Sequence, residues 1–176
     1  MTPVPPAGKN TSDASAQAER RREALALIRS RRTMVLATGT AATPWATPVY
    51  YAYSPRGFYF FSSPDARHII QALAPGTAAA AIFSDSDQWE EIQGVQMSGS
   101  VRVVDQPLEQ IEAGARFVAK FPFARTFLRS GGSKGGSAPQ LGDKVRLYVL
   151  TPDEVFYVNN RLGFGLRLPI ELHSTP

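Results

Sequence analysis

The chain contains no cysteine. That excludes disulfides, thiolate metal sites and a cysteine nucleophile. Histidine is nearly as scarce: His68 and His173 are the only two among 176 residues. With no acidic ligands spaced around them, a structural zinc site has no basis. No apolar run approaches the roughly 20 residues needed to cross a bilayer as a helix, and the N-terminus has no apolar core of the signal-peptide kind, so a soluble cytoplasmic protein with no membrane partner is expected. A Walker A sequence, a Gly-rich dinucleotide fingerprint, a nucleophile elbow and a paired acid–base carboxylate set are all missing.

What is present suits one domain with a real core, since 43% of residues are hydrophobic. Residues 1–17, small and polar with early prolines, are read as a disordered tail. Residues 18–176 are read as a single domain, with a flexible Gly-rich loop over 130–142. Ala18 to Ser30 is expected to be an amphipathic helix carrying Leu25, Leu27 and Ile28 to the core. The net charge of +4 is concentrated around Arg20–Arg22 and Arg29–Arg32, which permits a phosphate-bearing partner but more commonly marks a solvated basic face.

Strands are expected over Thr33–Thr38, over Trp45–Tyr53 with Pro48 at an edge or a bulge, over Phe58–Phe61 with both faces covered, and over Thr77–Ser84 as a buried strand. A long strand Ile92–Val104 follows, with Val95, Met97, Val101 and Val103 on one face and Gly99 at a bend. Pro107–Phe121 reads as a helix burying Leu108, Ile111, Ala115 and Val118, and Val145–Leu150 and Val155–Val158 as two final strands. Short strands with few helical inserts favour a mainly β, α+β architecture: a small antiparallel barrel with peripheral helices.

The most informative stretch is Phe58 to Leu73, an aromatic strand that runs straight into a helix. Ser63 is expected to cap that helix and Pro64 to open it, with Ala66, Ile69, Ile70 and Leu73 facing the core. Ser62, Ser63, Arg67 and His68 then gather hydroxyls, free amides and two potential cations, the chemistry of a phosphate or carboxylate site.

These residues resemble the FMN-binding split-barrel family that includes pyridoxamine 5′-phosphate oxidase, over roughly Arg32 to Val104. In that family an aromatic and a hydroxyl residue end a strand and an Arg-Lys pair follows; Phe61-Ser62 and Arg67-His68 stand in the equivalent positions. The chain is also similar to a small bacterial branch of the family sharing Arg67-His68, Gly94-Val95-Gln96, Phe121-Pro122, Ala124-Arg125, Asn160 and the tail motif Leu162-Gly163-Phe164-Gly165. The resemblance implies a split β-barrel homodimer with FMN in a groove at the subunit interface. The ring would lie on the backbone of Thr47, Pro48 and Val49, and the phosphate near Phe61, Ser62, Ser63, Arg67 and His68. Gln93 or Gln96 of a second copy would reach the ring edge, and Phe164 would either close the cleft or staple the barrel end.

Departures from the family pattern are Ala46 and Ala66, where a further phosphate Arg and a Ser are usual. The tail Leu166–Leu172 also lacks the oxidase's Arg- and His-bearing substrate motif, so oxidation of vitamin B6 is not expected. The expected activity is that of a flavin-dependent oxidoreductase on a small molecule. The alternatives are a non-catalytic flavin or haem binding or storage protein and, last, a nucleic-acid-binding protein using the Arg20–Arg32 helix.

Overall fold

The computed structural model describes residues 9–125 and 145–172, with side chains from Asp13 onward. The Gly-rich loop expected over 130–142 lies outside the described residues. Helix α1 spans Lys9–Ser30, so helical backbone begins well before Ala18, within the segment expected to be a disordered tail. Ala14, Ala16 and Ala18 favour helix without needing packing, while only the later turns bury side chains, namely Ala24, Leu27 and Ile28.

Eight strands follow: β1 (Thr33–Thr38), β2 (Trp45–Tyr50), β3 (Ala52–Ser54), β4 (Gly57–Ser62), β5 (Thr77–Phe83), β6 (Gln93–Val103), β7 (Arg146–Asn159) and β8 (Arg167–Pro169). Among them lie helices α2 (Arg67–Leu73) and α3 (Pro107–Lys120). The sheet order is β2-β1-β5-β6-β7-β4-β3, with β8 added on β7, and each pairing is antiparallel. Its two end strands, β2 and β3, are successive segments of chain joined at Tyr51. That junction brings the sheet's ends together and rolls it into a barrel. The Tyr51 ring is buried there; its N–H donates to the Arg32 carbonyl, and its hydroxyl donates to the Ile28 carbonyl at 2.6 Å, tying α1 to the seam.

Period-2 alternation places Met34, Leu36, Val49, Phe58, Phe60, Ile82, Val95, Met97 and Tyr148 inside the barrel. Pro48 sits on β2, which pairs with β1 alone and holds regular register opposite Val35; this is the edge position that a residue without an N–H requires. The bend at Gly99 is a shift of register between Ser98 and Gly99, opposite Pro152. A Cβ at Gly99 would meet the Thr151 carbonyl oxygen at 2.1 Å, so no larger residue fits. The bulge lets the ladder continue past Pro152, and β7 is therefore one strand where two were expected.

Three further expectations are corrected. β5 is not uniformly buried: Thr77, Ala79 and Phe83 face outward. The short strand β8 had no signal in its sequence, and Ile170 and Leu172 beyond it are buried. Helix α3 is rotated. It buries Glu109, Ala113 and Phe117, leaving Leu108 77% and Ile111 68% exposed. The cause is polar pairing: the Glu109 carboxylate, only 7% exposed, accepts from the Tyr59 hydroxyl at 2.8 Å and from the Arg102 guanidinium at 2.8 and 3.1 Å. The Arg102 bond, ahead of the opposing effect of burial, holds the Glu109 carboxyl below the usual carboxylate range.

Candidate functional site

Helix α2 begins at Arg67, later than expected. A turn closed by Ala66 N–H to Ser63 C=O, 3.1 Å, precedes it, and no side chain caps it. Ser63 thus contributes its carbonyl, not its hydroxyl. The buried face is His68, Ile69 and Ala72, while Ile70 and Leu73 remain exposed. Consequently His68 is not a surface cation. It is 8% exposed, its Nε2 lies 2.8 Å from Ser62 Oγ, and burial pushes its pKa below the ordinary histidine value. A neutral ring with the proton on Nε2 donates to Ser62 and leaves the serine hydroxyl proton free for an anion.

Arg67 points the other way and lies over the Trp45 ring at 4.2 Å. Among the described residues no carboxylate pairs with it. Trp45 opposite Thr38 completes this corner: Thr38 donates to Gln71 Oε1 at 3.1 Å, and Gln71 Nε2 donates to the Thr43 carbonyl at 3.1 Å. The result is a braced β1–β2 turn presenting one cation on an aromatic platform. A groove of about 880 Å³ lined by Thr38, Pro44, Trp45, Ala46, Ala79 and Ser98, among others, opens beside it.

Phe61 and Ser62 separate. Strand alternation turns Phe61 against Phe117 of α3, edge to face at 4.9 Å, whereas Ser62 faces His68. Thr47 and Val49 point into the barrel opposite Leu36 and Met34, and Pro48 points out. The outward face runs level across four strands in two rows, Pro48–Val35–Ala81–Gln96 and Ala46–Ala37–Ala79–Ser98. Seven of these eight side chains are no larger than valine. Gln96 thus lies three strands away from Pro48 on the same outward face. Its Oε1 accepts from Arg167 Nε at 2.9 Å. Gln93 shares the inward parity of Val95 and is held to Ser84, so Gln96, not Gln93, is the outward-facing glutamine of the pair.

The tail turns at two glycines with positive φ, Gly163 at 154° and Gly165 at 71°, as a sharp bend around one aromatic demands. Phe164 reaches the edge of Trp89 at 5.9 Å and stays 83% exposed. Within one chain it neither fills the barrel end nor joins the Arg67 corner. The residues that reading by sequence missed at the site are Thr38 and Gln71, which sit far apart in the chain and carry no motif.

A family model for pyridoxamine 5′-phosphate oxidase matches residues 21–159. The chain belongs to the pyridoxamine 5′-phosphate oxidase family. Within its reach is a UPF0306 protein of Cronobacter sakazakii, 26% identical over 143 residues, which are 80% of this chain and 88% of the relative. Two solved structures share the fold. HutZ, the haem storage protein of Vibrio cholerae, aligns over 86% of this chain and 97% of its own at 16% identity and a TM-score of 0.63. An FAD-binding protein of Mesorhizobium loti aligns over 76% and 88% at 16% identity and a TM-score of 0.58. The antiparallel barrel with its peripheral helices is thus the oxidase family's split barrel.

Proposed function

We propose that the protein is an FMN-binding homodimer acting as a flavin-dependent oxidoreductase on a small molecule. The observation that carries this reading is the unpaired Arg67 guanidinium, braced on Trp45 beside the open edge strand β2. A phosphate is the ligand that an oriented guanidinium with no carboxylate partner suits. The donor types suit that group: Arg67 would pair with the phosphate, and Ser62, held by neutral His68 on the inner side of α2, would offer a hydroxyl proton. The edge strand around Thr47, Pro48 and Val49 would seat the ring, and the small side chains of the outward face let a second copy approach closely enough to bring its own Gln96 to that ring. Bound flavin would supply the hydride and electron chemistry; the chain supplies orientation and exclusion of water.

The likeness to a haem storage protein supports a second reading, a haem binder without turnover. At this corner it is the weaker one, because His68 is buried and engaged with Ser62, which leaves no free imidazole there.

The absorption spectrum of the purified or reconstituted protein separates the two, through flavin bands or a Soret band. Arg67→Ala should then weaken FMN about ten- to a hundredfold, the loss of one charge-assisted contact worth about 1.5 to 3 kcal/mol, and leave riboflavin binding nearly unchanged. Equal losses for the two ligands would refute the phosphate contact.

A further inference from the structure

The end of the outward face where Tyr50 pairs with Thr33 and Phe83 with Gly94 is aromatic at both margins. At the β2 margin Tyr50 and Phe123, both about half exposed, stand edge to face at 5.6 Å in front of Phe121. At the β6 margin Trp89 and Phe164 form a second exposed pair. The tail fixes that pair in place: Asn160 Nδ2 donates to the Trp89 carbonyl at 2.8 Å, and Arg167 reaches the outward side chain of Gln96 at 2.9 Å.

Charge divides the same end into two halves. The β2 half is basic: Arg31 and Arg32 lead into β1, and Lys120 Nζ lies 3.8 Å from the centre of the Tyr51 ring. Burial, and Arg32 after it, lower the Lys120 pKa to about 8, so the two arginines carry most of this charge. The β6 half is acidic: Asp85, Asp87, Glu90 and Glu91 lie exposed between β5 and β6, set against Arg161, which pairs with Glu91 at 3.5 Å, and Arg167 on Gln96. Where the halves meet, Arg31, Arg32 and Asp85 line one groove of about 410 Å³. Among the described residues neither arginine forms an ion pair, and Arg31 Nε is buried without a hydrogen-bond partner.

We propose that this end of the face is self-complementary, and that it docks on a second copy of the chain related by a two-fold axis parallel to the strands. Such an axis lays the β2 half of each copy on the β6 half of the other. Trp89 and Phe164 of one copy then meet Tyr50 and Phe123 of the second, and Asp85 of one faces Arg31 and Arg32 of the second, offering an acceptor to the buried Nε. A two-fold perpendicular to the strands would instead lay basic half on basic half, where like charges repel. The parallel axis also keeps Gln96 level with Pro48 of the other copy, so the aromatic contact closes one end of the shared cleft. The inference rests on the homodimer of the proposed function and not on its flavin.

Because the chain has no cysteine, single cysteines report the contact without background. Full-length Tyr50→Cys and Phe164→Cys chains, one of them isotopically labelled, are mixed, allowed to exchange and treated with a short bis-maleimide; mass spectrometry should find cross-links between unlike chains, from position 50 to position 164. Cross-links chiefly between like chains, or none while the wild type sizes as a dimer, overturn the proposed axis and leave the homodimer standing. A monomeric wild type overturns both, and flavin binding is read separately from the absorption spectrum. Charge exchange tests the groove: Arg32→Glu and Asp85→Arg, each creating two like-charge contacts per dimer, should each weaken dimerisation about tenfold or more, and their equimolar mixture should recover it, because both contacts then join opposite charges. A mixture that dimerises no better than its components overturns the pairing of Asp85 with Arg32.

Discussion

His68 shows how one buried contact changes a residue's meaning. On the surface it would be a second cation for a phosphate; at 8% exposure and bonded to Ser62, it is a neutral positioning group. Its depressed pKa also links it to stability. The unfolded ring protonates near pH 6.5 and the folded ring only below that, so the stabilisation is complete above about pH 6.5 and is lost as pH falls through the folded value. Melting temperatures measured between pH 7.5 and pH 5 should therefore decline more steeply for the wild type than for His68→Gln, which retains a donor toward Ser62 but cannot titrate. Parallel declines would mean that other groups carry the acid sensitivity.

Helix α3 presents the corresponding problem at the scale of an element. Two stripes compete for the interior: Leu108, Ile111, Ala115 and Val118, and Glu109, Ala113 and Phe117. Apolarity alone selects the first. The barrel selects the second, because Tyr59 and Arg102 offer the Glu109 carboxylate three hydrogen bonds and Phe117 enters the aromatic group of Phe61 and Phe121. Burying a carboxylate without those partners would be prohibitive, and with them the helix is anchored in rotation. Phe117→Ala should accordingly cost about 3 to 5 kcal/mol in denaturant unfolding. Ile111→Ser should stay within about 0.5 kcal/mol when the protein is dilute enough to be monomeric. The reverse ranking would show that the helix sits with its other stripe inward.

At the scale of the whole molecule, the outward face of β2, β1, β5 and β6 carries mostly small side chains, with Tyr50 and Phe83 exposed at its margin, and in the proposed reading it is the face that meets the second copy. A two-fold axis over such a face would pair each copy's β2 with the other's Gln96, and a site built across it would be incomplete in a monomer. Light scattering coupled to size exclusion should give twice the chain mass of 19.1 kDa, and Ala79→Arg, which adds a charge and bulk at the middle of the face, should return the mass of a single chain. A monomeric wild type at micromolar concentration would refute the shared site.

Much of this fold is legible in the residue order, because local rules are enough to place it. Alternation marks β6, a β-rich run marks β1 and an aromatic run β4, Pro48 marks an edge, Gly99 marks the bulge, and the run from Phe58 into Arg67-His68 points to the family. Where a second segment supplies the deciding partner, the sequence by itself is silent. The rotation of α3 depends on Arg102 and Tyr59, and the continuity of β7 past Pro152 depends on a bulge in the neighbouring strand. The neutrality of His68 depends on how deeply α2 settles, and the depressed pKa of Lys120 depends on how deeply the end of α3 is buried and on Arg32. In each case the physical reason is the same: the free energy of a buried polar or charged group is determined by what lies opposite it, and only tertiary structure brings those groups together.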